Sequence, residues 1–428
     1  MEDFELVRLR EIGSLRVAYV TQWFYPEPAG PAVWIAQTLE QNGFEVNVIT
    51  AVPNYPQGVV YPGYSVFRSK REVIHDIDVI RSPVYPSHDR SAIRRALNYM
   101  TFALSSSWVG QRELKNADVV LVYASPQTAA IPALILHRWK GKPYVLIVQD
   151  LWPESVLQTG FLNSSFVRKG AQRLLGALDR VVSRNATQII VIAPGMKKAL
   201  MSRGVPREKI IVMFNWADES VLFPRVRTGH LRRQLGISDE DLLFVYAGNH
   251  GSAQGLEAWI HAIQAVEDLT DLHFVFIGDG AEKPKLERLA HSLKLERTYF
   301  LDHMATEVFA RHVADCDAQI ISLTDAPLFQ ITIPGKVQSS MALGSAMIAS
   351  IAGDAAGIIE ESGAGILAKP CNQLDIENAV RQGYAEGQLA LRRRGELGRE
   401  YYLKNMSCNI GSNQLADALR SAGASRAE

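Results

Sequence analysis

Residues 331–350 read Ile-Thr-Ile-Pro-Gly-Lys-Val-Gln-Ser-Ser-Met-Ala-Leu-Gly-Ser-Ala-Met-Ile-Ala-Ser. The stretch divides into a turn on Pro334–Gly335, a short helix from Lys336 to Leu343, and a buried strand over Ala346–Ser350, with Gly344 where a helix C-cap belongs. A turn that feeds a helix N-terminus presents unpaired backbone N–H groups and the positive end of the helix dipole, so it suits an anion. Lys336 sits in that first turn, where a cation is unfavourable unless a bound anion compensates it. The competing reading is a solvated lysine beside an ordinary turn.

The same alternation of helix and strand runs outward through the chain. Arg16–Thr21 is a short apolar strand, Gly30–Pro31 opens a helix through Glu40, and Glu45–Thr50 is the next strand, together one βαβ unit. Further strands are expected at Val79–Ile80, Val119–Tyr123, Tyr144–Val148, Ile189–Ile192 and Ile210–Met213. A polar connection at about 219–240, with Pro224, Arg225, Arg227 and Arg232–Arg233, reads as a linker. A second series follows with strands at Leu242–Ala247, His273–Ile277, Tyr299–Leu301, Ala318–Ser322 and Gly365–Ala368, and then a helical tail. The domains read as 1–222, 223–398 and a tail at 399–428 that packs back on the first domain.

At 428 residues the chain is long enough for two such domains. Lys plus Arg and Asp plus Glu are both 45, so global charge gives no case for a nucleic-acid partner. Arg68–Lys70–Arg71 and Arg90–Arg94–Arg95 nevertheless concentrate positive charge early in the chain. Three scattered cysteines form neither a disulfide framework nor a zinc pattern, which fits a reducing cytoplasm. The acidic start Met-Glu-Asp-Phe-Glu-Leu lacks the apolar core of a signal peptide, and no run of about 18 apolar residues occurs.

Open α/β sheets bind ligands outside the carboxyl ends of their strands. In the second half the loops there are Gly248-Asn-His-Gly-Ser-Ala-Gln-Gly255, Gly278-Asp-Gly280 and the turn before Lys336, three anion-friendly loops that suggest a nucleotide-type ligand. No first βα turn spells the dinucleotide fingerprint G-x-G-x-x-G. In the first half the corresponding loops carry Gln22–Gly30, Ala51–Gly58, Ala124–Thr128 and Gln149–Glu154.

With these motifs in view, nearly the whole chain resembles the family 4 (group 1) glycosyltransferases of GT-B fold. The first strand with Phe24-Tyr-Pro26 and Gly30, the Ile210–Asn215 segment with Asp218, Phe276-Ile-Gly-Asp-Gly280 with Leu286, and Gly353 through Pro370 carry the likeness. Pro53-Asn-Tyr-Pro56, Gln149-Asp-Leu-Trp-Pro-Glu154, Gly248-Asn249 with Ala253-Gln-Gly255, and Ile333-Pro-Gly-Lys336 resemble the subgroup that builds bacterial O-antigen, capsule or exopolysaccharide repeat units.

The resemblance implies two doubly wound Rossmann-like domains facing across a cleft and a retaining, metal-independent transfer without a cofactor. The donor is expected to be a UDP-sugar, held by Gly30, Gly248, Asn249, Gln254, Gly278, Gly280, Lys336 and Ser339. The acceptor is expected to be a polyprenyl-diphosphate-linked sugar, met by Asn54, Tyr55, Gln149, Trp152 and Glu154. Lys336, with the backbone of Gly30 and Gly248, would stabilise the departing diphosphate, and Asp150 would orient the donor sugar or the acceptor hydroxyl.

The chain departs from the family at several points. The usual glutamate pair falls near Ile331 and at Ser339, the usual Arg and Lys of the first C-domain loop near Asn249 and at Gln254, and the usual histidine at Gln149–Asp150. Asp150 has an alternative as a helix N-cap, Glu154 as a capping residue, and Trp152 as packed core. Asp76-Ile-Asp78 and Asp315-Cys-Asp317 spell D-x-D but read as structural.

Arg94 and Arg95 with the apolar residues through Leu104 could lie on the inner face of a plasma membrane, or could form a core helix with solvated arginines. A UDP-sugar 2-epimerase and a non-catalytic partner subunit are the alternative functions.

Overall fold

The computed structural model describes residues 14–88, 91–155 and 165–424; the N-terminal stretch 1–13 and Arg90 lie outside them. The chain forms two compact units. The first comprises Met1–Ile192, Met196–Met213 and Ser412–Glu428, the second Ala193–Gly195 and Phe214–Gly411. Residues 214–222, read from sequence as first-domain, therefore belong to the second unit, and the helical tail is divided between the two.

The sheet of the first unit contains β1 (Arg16–Val20), β2 (Glu45–Ala51), β3 (Lys70–Ile74), β4 (Ile77–Ser82), β5 (Val119–Tyr123), β6 (Tyr144–Val148), β7 (Gln188–Val191) and β8 (Ile210–Val212). Their order is β3-β4-β2-β1-β5-β6-β7-β8, parallel except for β3. The central strands are near-continuous Val, Ile and Leu because helices cover both faces; all five residues of β6 are buried. β3, unforeseen in the sequence, is a charged edge strand with Lys70 paired to Glu72 at 2.9 Å, a composition that discourages further strand pairing. Its turn into β4 holds His75 and Asp76 at positive φ, so Asp76 serves a hairpin.

Helices α1 (Gly30–Gln41), α2 (Ala92–Val109), α3 (Gln111–Asn116), α4 (Ile131–Lys140), α5 (Ser165–Asn185) and α6 (Pro194–Ser202) accompany these strands. The chain reverses direction across the sheet after β4. Right-handed crossovers therefore place α1 on one face and α2, α4 and α5 together on the other. α4 packs against both α2 and α5.

The second unit contains α7 (His230–Leu235), β9 (Leu242–Ala247), α8 (Leu256–Ala265), β10 (Leu272–Ile277), α9 (Lys283–Ser292), β11 (Thr298–Leu301), α10 (Thr306–Val313) and β12 (Ala318–Ser322). It continues with α11 (Pro327–Gln330), α12 (Gly335–Leu343), β13 (Ala346–Ser350), α13 (Gly353–Ser362), β14 (Gly365–Ala368) and α14 (Gln373–Asn405); α15 (Cys408–Ala424) starts in this unit and belongs to the first from Ser412. The sheet is wholly parallel, ordered β11-β10-β9-β12-β13-β14. Its core gathers Phe244, Trp259, Phe274, Phe276, Ile320, Ile348 and Val380. α14 bends at Gly387, whose φ of +74° no helix interior adopts.

The expected linker is structured. Arg232 is fully buried, pairs with Asp317 at 2.7 Å and donates to the carbonyls of Asp315, Ser238 and Asp241. Asp315 accepts the N–H groups of Thr228, Gly229 and Leu231 at 2.7–2.9 Å. Asp315 and Asp317 thus tie this connection to the start of β12.

Candidate functional site

In each unit the strand order reverses at one place, between β1 and β5 in the first and between β9 and β12 in the second. Both switch points are where ligands enter open α/β sheets.

At the second unit's switch point the three glycine-bearing loops converge. The loop after β9 is laced to the loop after β10 by His250 N–H to Asp279 O at 2.7 Å and Glu282 N–H to His250 O at 2.9 Å. Gly278 has φ +132°, and a Cβ there would lie 2.1 Å from Gly248 O, so only glycine permits this approach. Gly280 is pressed as closely on His250.

Lys336 reaches these loops from the first turn of α12. Its Cε and Nζ lie where a Gly248 side chain would be, and Nζ stands 3.6 Å from the centroid of the Tyr246 ring. Nζ is shut off from solvent and has no hydrogen-bond acceptor. Burial lowers the ammonium from its ordinary range to about 7. The solvated-lysine reading is overturned. Beside it His250 is fully buried, its imidazole pKa lowered by burial, and its ring meets Tyr246 edge-on at 5.4 Å. Pro334 is the N-cap of α12 and offers no side-chain acceptor, so the first-turn N–H groups and Lys336 form one electropositive point.

The remaining donor-side residues take more specific positions than their spacing suggested. Gly248 N–H donates to Ile277 O at 2.9 Å, extending the ladder, so it is not available to a diphosphate as expected. Gln254 accepts from Gly251 N–H at 3.1 Å and closes its own turn. Asn249 is exposed, and its carbonyl accepts from the Tyr246 hydroxyl at 2.6 Å. Ser339 donates to Lys336 O at 3.1 Å. Gly30 is the first residue of α1, in the first unit, where a side chain would press on Trp34.

The first unit's switch point opens into a cavity of about 680 Å³, lined by Trp23, Tyr55, Arg95, Tyr99, Ser125, Asp150 and Trp152 among others. Trp152 is buried, its ring tilted against Tyr99 at 6.1 Å. Tyr55 packs on Trp23 at 5.1 Å and His88 at 4.8 Å. Asp150 Oδ2 accepts from Ser125 Oγ at 3.4 Å, and burial raises its carboxyl pKa. Gln149 stands next to it, half-buried, just past the end of β6.

Asn54 is interior, donating to Val52 O at 2.9 Å. Glu154 pairs with Arg203 at 2.8 Å; Arg203 also holds Asp179 at 2.9 Å and Trp152 O at 2.7 Å, so the group braces the tryptophan.

Sequence reasoning missed Glu27. Its carboxylate accepts the N–H groups of Phe24, Asn54 and Tyr55 at 2.8–3.0 Å, pinning the loops after β1 and β2 against each other. Burial pushes this carboxyl up to about 7, against the three donors and nearby Arg81 that hold it down. An acid between Pro26 and Pro28 in a strand-end loop was the signal available.

Residues 32–216 match the family model of the glycosyl transferase 4-like domain, and residues 241–386 that of the glycosyl transferases group 1. The chain is 29% identical over 388 residues to WcaI of Escherichia coli K12, named as a colanic acid biosynthesis glycosyl transferase, over 88% of this chain and 93% of that one. It is 26% identical over 253 residues to WbjE of Pseudomonas aeruginosa, named as a glycosyltransferase, over 59% and 62% of the two chains. Among solved structures, sucrose-phosphate synthase from Thermosynechococcus elongatus aligns with a TM-score of 0.71 at 15% identity, over 96% of this chain and 100% of that one. HepE of Anabaena, in complex with UDP and glucose, aligns at 0.67 with 16% identity, over 95% and 100%. These two share the GT-B fold.

Proposed function

The chain belongs to the group 1 glycosyltransferases, of the kind that builds polysaccharides, and from that premise we propose that it transfers a sugar from a UDP-sugar to a polyprenyl-diphosphate-linked saccharide in the bacterial cytoplasm. The observation that carries the reading is Lys336, a sealed ammonium without an acceptor at the N-terminus of α12. A diphosphate oxygen would complete it. HepE structures holding UDP and UDP-glucose support uridine as the nucleoside.

In this reaction the bond between the anomeric carbon and the diphosphate oxygen breaks, and negative charge grows on that oxygen. Lys336 Nζ, swung off the Tyr246 ring toward the departing oxygen, and the first-turn N–H groups of α12 take up that charge. The acceptor hydroxyl attacks from the face the diphosphate leaves, so configuration is retained, and its proton passes to the departing phosphate oxygen. The aromatic walls of the first unit's cavity, Trp152 and Tyr55, suit sugar rings, and Asp150 accepts a hydrogen bond from the acceptor. Ser339 faces the ribose in place of the family glutamate. No step calls for a metal.

Calorimetric titration with UDP and then GDP, on wild type and Lys336→Ala, tests the reading. Loss of a charged phosphate contact should cost about 1.5–3 kcal/mol, roughly 10- to 150-fold in affinity. Absence of binding to either nucleotide would overturn the assignment and favour a non-catalytic subunit. Isomerisation of a UDP-sugar without acceptor would favour an epimerase.

A further inference from the structure

The arginine-rich connection before β9 uses only part of its charge to hold itself in place. Arg232 and Arg227 share Asp317, at 2.7 and 2.5 Å. Arg225 is left over. Its guanidinium lies over the Phe223 ring at 4.1 Å and gives one N–H to Val221 O at 3.1 Å, while its Nε is shut off from solvent without an acceptor. A desolvated N–H of this kind is costly unless something outside the chain completes it.

Arg225 lines a second cavity, of about 690 Å³, that lies wholly within the second unit. Arg227 joins it from the same connection, and Arg392 and Arg399 from α14. The cavity sits by the amino ends of β12 and β13, next to Asp317 and Ser345, whereas the glycine loops and Lys336 follow the carboxyl ends of their strands. Its apolar wall includes Val313 and Leu343, and Leu389, exposed by 82%, extends that wall toward solvent. The arginine-bearing side is firmly placed. α14 crosses the end of α12 so closely that a Cβ on Gly395 would lie 2.1 Å from Gly344 O, and Arg399 donates to Ala342 O at 2.7 Å.

The carboxylates that line the cavity are already answered. Asp317 is held by Arg227 and Arg232, and Glu396 and Glu400 meet Arg393 at 2.9 and 3.8 Å. Arg225, Arg392 and Arg399 pair with no carboxylate among the described residues. A planar carboxylate is satisfied by one guanidinium fork. A phosphate monoester carries up to two charges and three oxygens, which suit guanidiniums arriving from two separate segments. The volume is that of a small-molecule pocket, and the apolar wall calls for a body beyond the phosphate.

We propose that this cavity is a second ligand site, for a small organic phosphate whose head lies among Arg225, Arg392 and Arg399 and whose body rests on Val313 and Leu343. It shares no lining residue with the Lys336 site, so both can be filled at once and neither inference depends on the other.

The test is calorimetric titration of the full chain with phenyl phosphate, benzoate and inorganic phosphate, with and without UDP. Phenyl phosphate is expected to bind about tenfold or more tighter than benzoate, which keeps the ring but has a planar head, and tighter than inorganic phosphate, which lacks the body. Arg225→Gln should weaken it about tenfold. Arg392→Gln and Leu389→Glu alter exposed positions, so the urea midpoint should stay at the wild-type value while each weakens phenyl phosphate about fivefold. Lys336→Ala should leave its affinity unchanged. Loss of binding in Lys336→Ala, or displacement by UDP, would put the anion at the nucleotide loops and overturn the proposal. So would benzoate binding as tightly, no binding of phenyl phosphate, or affinity that survives all three cavity variants. UDP titration of the same variants reports separately on the transferase reading.

Discussion

A desolvated ammonium with no acceptor costs the ligand-free protein stability, and Lys336 pays that cost at a single atom. Lys336→Met keeps the volume and removes the charge. It should stabilise the ligand-free chain in urea unfolding while weakening UDP binding by the same roughly 10- to 150-fold as Lys336→Ala, and a destabilised Met variant would show that Lys336 is structural. The pH dependence has a defined sign. The folded pKa of about 7 lies below the ordinary lysine value of 10.5, so between these values the unfolded chain binds more protons. Stability should therefore rise with pH across this window, by at most ~1.4 kcal/mol per unit from this group, and the penalty is complete below about 7. UDP binding should take up a proton in the same window and weaken as pH rises, as calorimetry in buffers of different ionisation enthalpy would measure. The position of Lys336 at a strand-end turn was legible in the sequence. Its bed on Tyr246 was not, because that ring comes from a distant strand and no local spacing links the two.

At the scale of elements, buried strands announced themselves and exposed ones did not. Val119–Tyr123, Tyr144–Val148 and Ala318–Ser322 were read with their observed ends, since strands covered on both faces are apolar throughout. β3 escaped because an edge strand has only one neighbour, and its Lys-Arg-Glu start looks like solvated charge. Loop architecture was hidden for another reason. Glu27 holds two loops through backbone N–H groups, which leave no side-chain signature in the partner sequence. Glu27→Ala should cost about 3 kcal/mol or more, because it leaves the N–H groups of Phe24, Asn54 and Tyr55 without their acceptor. Urea denaturation of the full chain measures this; a loss within about 0.5 kcal/mol would mean that water replaces the carboxylate.

At the scale of the molecule, each unit carries its own sheet and core, and the proposed nucleotide contact lies wholly in the second. A ligand that binds only the folded form stabilises the part that must be folded to hold it. At 100 times its Kd, UDP should add ~2.7 kcal/mol to the unfolding free energy of that part. Scanning calorimetry is therefore expected to show two transitions, of which UDP raises one and leaves the other in place. In Lys336→Met the same UDP concentration should add only about 0.3–1.4 kcal/mol. A shift confined to the transition that survives when the second unit is already unfolded would place UDP in the first unit. A single transition that moves as a whole would mean that the units melt as one cooperative body, with α15, whose residues are divided between them, as the physical link.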